Sequence, residues 1–341
     1  MTRLNRRQFI RTIGVFSGIA AAAPAFLVTP ARSANLGKVA YQFSWIKNFQ
    51  FAGEYVADYK KYYADEGLEV DLLAGGPTLS VEPVVASGKA LIGQVNSDGA
   101  ANANAKGANL RVIGTNYQKS PFCMISMAKT AIKTPQDMVG KKIGIQNTNL
   151  VLWHAFLKIN KIDPEKINTV PVQFDFSPLV SGEVDGFFGY SNDDVVHLRE
   201  KGNDVAYMLF GDFGYKLYTA AYAVRADSLN DKTKRAQIVA FMRGSVKGWQ
   251  DVVKDPSLGA KLTVDVYGKG NGLDATAEYK SCQLTNELML NDVTQAHGLF
   301  WMSDEGIKET IDTLAVAGIK ATPNMFTNEI LAEIYQGRSS L

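Results

Sequence analysis

Short apolar runs alternate with helix-spaced stretches along the first third of the chain. Val39–Phe43, Glu69–Leu73, Ala90–Val95 and Leu110–Thr115 are compact runs rich in branched and aromatic side chains, and they predict strands. Between them, Phe51–Asp65, Leu79–Ser87 and the stretch from Ser97 to Gly107 carry helical spacing. Gly67 ends the first of these, and Ser97 or Asp98 caps the third. This β-α-β-α order calls for a mainly parallel sheet covered by helices. Beyond Pro121 a longer extended run, Phe122–Ala128, opens a second set. It comprises strands at Lys142–Gln146, Thr169–Phe174, Asp185–Tyr190 and Val205–Phe210, and helices at Asn149–Asn160, before Gly182 and at Asn192–Lys201. A second extended run, Tyr218–Val224, closes the set. Two such runs bracketing an α/β unit predict paired crossovers between two lobes. From Asn230 the pattern is helical to the end: an amphipathic Asn230–Val253, a break at Pro256, then at least three more helices ending with Glu329–Gln336.

The N-terminus changes the reading of composition and charge. Arg6-Arg7-Gln8-Phe9-Ile10-Arg11, the weakly apolar Ile13–Val28 and the small residues Ala31-Arg32-Ser33 have the layout of a twin-arginine export signal, so residues 1–33 are expected to be removed. A membrane anchor would need about 20 apolar residues, and Gly, Ser and Pro dilute this run. The signal holds five arginines and no acid, so residues 34–341 carry 31 basic against 34 acidic side chains, a formal charge of −3. Nothing in that balance favours binding to nucleic acid or to an anionic membrane surface. Cys123 and Cys282 lie deep in the chain, so no cysteine follows the signal to carry a lipid. They are expected as two buried thiols, with one disulfide as the alternative in an oxidising compartment.

Open α/β sheets bind their ligands beyond the carboxyl ends of the strands. Those ends carry Ser44-Trp45, Gly75-Gly76, Asn96-Ser97-Asp98 and Thr115-Asn116-Tyr117 in the first set. In the second they carry Gln146-Asn147-Thr148-Asn149, Asp175-Phe176-Ser177 and Tyr190-Ser191-Asn192-Asp193. Neutral amides, hydroxyls and aromatic rings dominate, which suits the mixed donor–acceptor edge and flat faces of a heterocycle. The segment Trp45–Tyr55 alone holds four aromatics with one acid and one base. Trp45 follows its strand directly and is expected to stack on the ligand, while Phe49 and Phe51 also suit a role in stapling the next helix. Ser97, Asp98, Ser177 and Asn192 equally fit helix caps. The candidate ligand-binding residues are therefore Trp45, Asn48, Phe51, Gly76, Asn96, Ser97, Asp98, Gln146, Asn147, Thr148, Tyr190, Ser191 and Asn192. His154, His197 and His297 lack metal-ligand spacing, Asp193-Asp194 suits a helix start, and no nucleophile or phosphate-loop motif is present, so no catalytic residue, metal or cofactor is expected.

Several of these residues together resemble a known family. Trp45 with Phe51-x-Gly53-x-Tyr55-Val-Ala57, then Tyr62–Val70, is similar to the opening of periplasmic binding proteins related to the thiamine-pyrimidine synthase. Ala86-Ser-Gly-Lys89, Gly140-Lys-Lys-Ile-Gly144 and Ser181-Gly-Glu-Val-Asp-Gly186 are further points of likeness. The resemblance spans about residues 38–260 and implies an ABC-importer solute-binding protein that captures thiamine pyrimidine precursors, riboflavin, or sulfonate- and nitrate-like anions. Gln50-Phe51-x-Gly53-x-Tyr55 is closest to the pyrimidine and flavin branch. The implied fold is a type II periplasmic binding protein, each lobe a mainly parallel sheet flanked by helices, with a double-crossover hinge. Lobe 1 would comprise residues 34–122 and 224–341, and lobe 2 residues 123–223. The family's synthases place a histidine after the third strand and a cysteine-rich cluster later. Asn96-Ser-Asp-Gly99 stands at the first position and no such cluster follows Phe210, so their chemistry is not implied. The acid that some pyrimidine binders place after the Asp-Gly strand is replaced by Tyr190-Ser191-Asn192.

These observations predict a monomeric, unanchored periplasmic protein that captures a small heteroaromatic nutrient. Its partners would be an ABC transporter permease in the inner membrane and, during export, the twin-arginine translocase. The alternatives are a sulfonate-type anion held at the helix starts near Ser97 and Asn149, a heterocycle-processing enzyme on the same scaffold, and delivery of ligand to a sensory receptor.

Overall fold

A computed structural model describes residues 35–341 except Phe174, together with every side chain in that range except Thr148. The export signal at residues 1–33 lies outside the described residues. Ten strands form two sheets of five: β1 (Gly37–Gln42), β2 (Leu68–Leu73), β3 (Ile92–Val95), β4 (Leu110–Tyr117), β5 (Phe122–Met127), β6 (Lys142–Gln146), β7 (Asn168–Val172), β8 (Gly186–Tyr190), β9 (Val205–Leu209) and β10 (Thr219–Arg225). The sheet orders are β2-β1-β3-β10-β4 and β7-β6-β8-β5-β9. Each has parallel pairs at one side (β1 with β2 and β3, β6 with β7 and β8) and one reversed strand, β10 or β5, lying antiparallel to both its neighbours. The two sheets therefore share one topology. Both long extended runs expected as crossovers are themselves these reversed strands. The chain passes between sheets just before each of them, at Gln118–Pro121 and again at Phe210–Tyr218.

The central strands are buried along almost their whole length: β3 completely, β4 at all but Arg111. Covering helices on both faces demand such continuous apolar runs. On the first sheet, Tyr41, Phe43, Tyr55, Phe241 and Trp249 join one core. Helix Ala52–Tyr59 crosses the 23-residue helix Lys232–Lys254 at close quarters. A Cβ on Gly53 would lie 2.2 Å from the Trp249 ring, and one on Gly248 would lie 2.0 Å from the Gly53 carbonyl. The glycine in Phe51-x-Gly53-x-Tyr55 is thus a packing requirement.

The helix expected over Phe51–Asp65 is broken. Lys61 takes a left-handed φ of 64° and a separate turn, Tyr62–Asp65, follows. The kink lets Tyr63 lie flat against Phe241, with centroids 5.2 Å apart, while the Tyr62 hydroxyl donates to Asp251 at 2.7 Å. Contacts with the long helix outweigh the local helical pattern.

Late in the chain, helix Ala275–Met289 packs against both Phe49–Phe51 and helix Asp194–Glu200, so it touches elements of both sheets' surroundings. Cys123 and Cys282 are free and buried, in keeping with the expected thiols. Among the described residues, no helix is long and apolar enough to cross a membrane.

Candidate ligand-binding site

The carboxyl ends of strands from both sheets converge on a cavity of about 330 Å³. Ser44, Trp45 and Ile46 enter it after β1, Gln94 and Asn96 from β3 and its end, and Tyr117 from the end of β4. The second sheet supplies Asn149, Phe176, Tyr190, Asp193, Asp194 and His197. Asn48, Gln50, Ala220, Leu273 and Glu278 complete the wall. A separate space of about 500 Å³ is lined by the adjoining residues Gln118, Lys119, Leu217 and Tyr218. Only the first sits where open α/β sheets place ligands.

Four of the candidate residues, Trp45, Asn48, Asn96 and Tyr190, line this cavity. The other candidates whose side chains are described stand apart from it. Phe51 is fully buried and stacks on Phe43 at 3.9 Å between centroids, so it belongs to the core. Phe49 and Tyr55 are also fully buried, Tyr55 stacking on Tyr267 at 4.5 Å. Of the four aromatics in Trp45–Tyr55, Trp45 alone reaches the cavity. Gly76 faces open space. Ser97 donates its hydroxyl hydrogen to the Tyr218 carbonyl at 2.8 Å, tying a helix start to the strand that returns from the other sheet. Asp98 is half-buried beside Glu82, and burial lifts its pKa to about 6. Gln146 is buried and donates to the Phe188 carbonyl at 3.1 Å. Asn147 is exposed, and the Thr148 side chain lies outside the described set. Ser191 is buried away from the cavity. Asn192 donates to Tyr117 Oη at 3.1 Å and Thr285 Oγ1 at 2.9 Å, joining the two halves of the molecule through a buried amide.

The cavity is more acidic than the strand-end inventory suggests. Asp193, the residue capping helix Asp194–Glu200, accepts from His197 Nε2 at 3.3 Å, one turn along the same helix. Its other oxygen accepts from Gln50 Nε2 at 3.3 Å and Asn48 Nδ2 at 3.5 Å, both from the first half of the molecule. The hydrogen bond to Asp193 raises the His197 pKa above its ordinary value. Asp194 accepts the Tyr190 N–H at 2.7 Å, and burial together with the Asp193 charge raises its pKa strongly. Glu278 accepts the Phe49 N–H at 2.8 Å, and burial, then Asp193, raises its pKa to about 7.

No lysine or arginine is among the residues lining the cavity. The acids and His197 do not form a metal centre: among the described residues, no group of three His, Cys, Asp or Glu is arranged to hold a metal ion. The Asp193-Asp194 pair was readable in sequence only as a favourable helix start. The i, i+4 spacing of Asp193 and His197 was the one available signal for their pairing. Glu278 carried no signal, because only the return of the late helices brings it to the strand ends.

Two sheets of identical strand order, each with one reversed strand and sharing a ligand-sized cavity at their carboxyl ends, make up the periplasmic-binding-protein fold. A sulfonate-binding SsuA structure from Methylobacillus flagellatus superposes with a TM-score of 0.63 over 89% of this chain and 94% of its own, at 16% identity. The chain belongs to the NMT1/THI5 like family, whose model matches residues 48–258. It is similar to a riboflavin-binding protein of Chloroflexus aurantiacus, 25% identical over 330 residues, covering 91% of each chain. It is also similar to a formylaminopyrimidine-binding protein of Halalkalibacterium halodurans, 25% identical over 227 residues, covering 65% of this chain and 68% of the relative.

Proposed function

We infer that this protein is the extracytoplasmic solute-binding component of an ABC importer. It captures a small heteroaromatic nutrient, of the pyrimidine or riboflavin-like kind, without changing its covalent structure. The observation that carries the reading is the composition of the cavity. Four aromatic side chains, Trp45, Tyr117, Phe176 and Tyr190, share a ligand-sized space with amides and carboxylates and with no basic side chain other than His197. Flat rings and fixed polar groups suit a heterocycle held by stacking and edge hydrogen bonds.

The same composition disfavours an anion. A sulfonate-like ligand would meet Asp193, Asp194 and Glu278 with no lysine or arginine to compensate, although the fold also serves sulfonate binders. The family match and the two binding-protein relatives support the transport role. In this reading two lobes close on the ligand by a hinge at the two inter-sheet passages; the second passage ends before Thr219, so all of β10 goes with lobe 1 and the boundary expected at residue 224 moves back to 219. Residues 1–33 direct export through the twin-arginine translocase. The mature protein then works as a periplasmic monomer beside an inner-membrane permease.

Mass spectrometry of small molecules released from purified, heat-denatured protein tests the ligand class directly, with titration calorimetry against riboflavin, aminopyrimidines and alkanesulfonates alongside. Recovery or tight binding of an intact heteroaromatic supports the reading. Tight binding of a sulfonate alone, or recovery of a covalently altered ring after incubation, would overturn it.

A further inference from the structure

Glu278 lies beyond residues 48–258, the stretch that the family model matches. Helix Ala275–Met289 carries it to the cavity wall with its side chain fully buried. One carboxylate oxygen, Oε2, is engaged by the Phe49 N–H at 2.8 Å. The other, Oε1, has no hydrogen-bond partner. His197 Nε2 stands 3.8 Å from it, beyond hydrogen-bond reach, and is already directed at Asp193 at 3.3 Å. Asp193 has donors on both of its oxygens, from His197, Gln50 and Asn48.

The unmet demand for a donor therefore falls on Glu278. A second orphan lies on the same wall. Gln94 is 1% exposed, its Oε1 accepts from Ser44 Oγ at 2.6 Å, and its Nε2 has no partner. Buried polar groups left unpaired beside an open space mark where a ligand's own polar atoms belong. The molecule that fits must bring a donor to Glu278 and an acceptor to Gln94. A carbonyl placed against the ionised Glu278 would set lone pairs against lone pairs.

We propose that Glu278 is the specificity-determining residue of the cavity, its Oε1 accepting a hydrogen bond from an amino group on the heteroaromatic ligand and so selecting amino-substituted rings over analogues that lack the donor. This rests on the function proposed above and narrows it. A site built around a hydrogen-bonded partner rejects a ligand without that partner strongly, because the buried group is then stranded.

The test is titration calorimetry of the mature protein at pH 8, where the carboxyl is ionised, using 4-amino-2-methylpyrimidine, 2-methylpyrimidine and riboflavin as probes. Wild-type protein is expected to bind the amino ring roughly tenfold or more tightly than the ring without it. In Glu278→Ala, and in Glu278→Gln as the isosteric variant least disturbing to the fold, that ratio is expected to shrink to about twofold or less, with thermal unfolding showing both variants folded. Wild-type protein that binds the two pyrimidines equally, or binds riboflavin and neither pyrimidine, overturns this inference and leaves the proposed function standing. A ratio preserved in a folded variant also overturns it. Failure of all three probes to bind wild-type protein overturns this inference, and if in addition no heteroaromatic is recovered from the denatured protein it overturns the proposed function as well.

Discussion

Glu54 offers a test of the core that is independent of any ligand. Its side chain is 1% exposed within helix Ala52–Tyr59, where Oε1 accepts from the Tyr222 hydroxyl at 2.6 Å and Oε2 from Trp249 Nε1 at 3.1 Å. Burial outweighs these two hydrogen bonds and lifts the pKa from 4.5 to about 7. The folded state thus holds this proton more tightly than the unfolded chain does. The stability it contributes is fully present below about pH 4.5 and is lost as the pH rises through about 7. Each tenfold change in proton affinity is worth about 1.4 kcal/mol, so the full swing is about 3 kcal/mol. Glu54→Gln removes the ionisation and keeps the shape. Its amide oxygen can take the Trp249 N–H, which can only donate, and its NH₂ can donate to the Tyr222 oxygen, which can accept. Urea unfolding of wild type and Glu54→Gln at pH 4.5, 6 and 8 isolates the effect, since other titrating groups are common to both. The variant should gain about 3 kcal/mol relative to wild type between pH 4.5 and 8. Stability differences that stay constant across that range would refute the account of a proton bound by burial.

Three further outcomes separate ligand contacts from scaffold. Trp45→Ala should weaken binding of the heteroaromatic ligand by about 1–3 kcal/mol in calorimetry with a smaller loss of stability than a core truncation, because its half-buried ring also packs on the first core, and unchanged affinity would remove Trp45 from the site. Phe51→Ala should do the opposite, costing about 3–5 kcal/mol in urea unfolding because it hollows the stack on Phe43; wild-type stability with lost binding would return Phe51 to the ligand. Asn192→Ala should cost about 1–3 kcal/mol of stability by stranding the Tyr117 and Thr285 hydroxyls, and a neutral result would show that water satisfies them equally well.

The strand series was legible because each run is short, apolar and punctuated. The ten observed strands fall within a few residues of the ten expected extended runs, and the all-helical final third is also as expected. What failed locally failed for identifiable tertiary reasons. The helix over Phe51–Asp65 broke at Lys61 because packing of Tyr62 and Tyr63 on the long helix overrode local spacing. The aromatic segment Trp45–Tyr55 is compositionally uniform, and composition cannot say which rings face inward. Phe49, Phe51 and Tyr55 went to the core and Trp45 to the cavity because β1 ends before Trp45, whereas the later rings are carried by the turn and helix packed on the sheet.

From the sequence alone, the two-lobed α/β class, the order of its elements and the family could all be read. Each depends on patterns repeated over short stretches. The acid character of the cavity was decided only by the tertiary structure. Asp193 read only as an acid suited to a helix start until Asn48 and Gln50 reached it from the first half of the molecule, and Glu278 had no reason to be chosen until helix Ala275–Met289 came back to Phe49. A hydrogen bond between residues far apart in the chain leaves no local pattern, so the polarity of a site assembled from both halves appears only once the chain has folded.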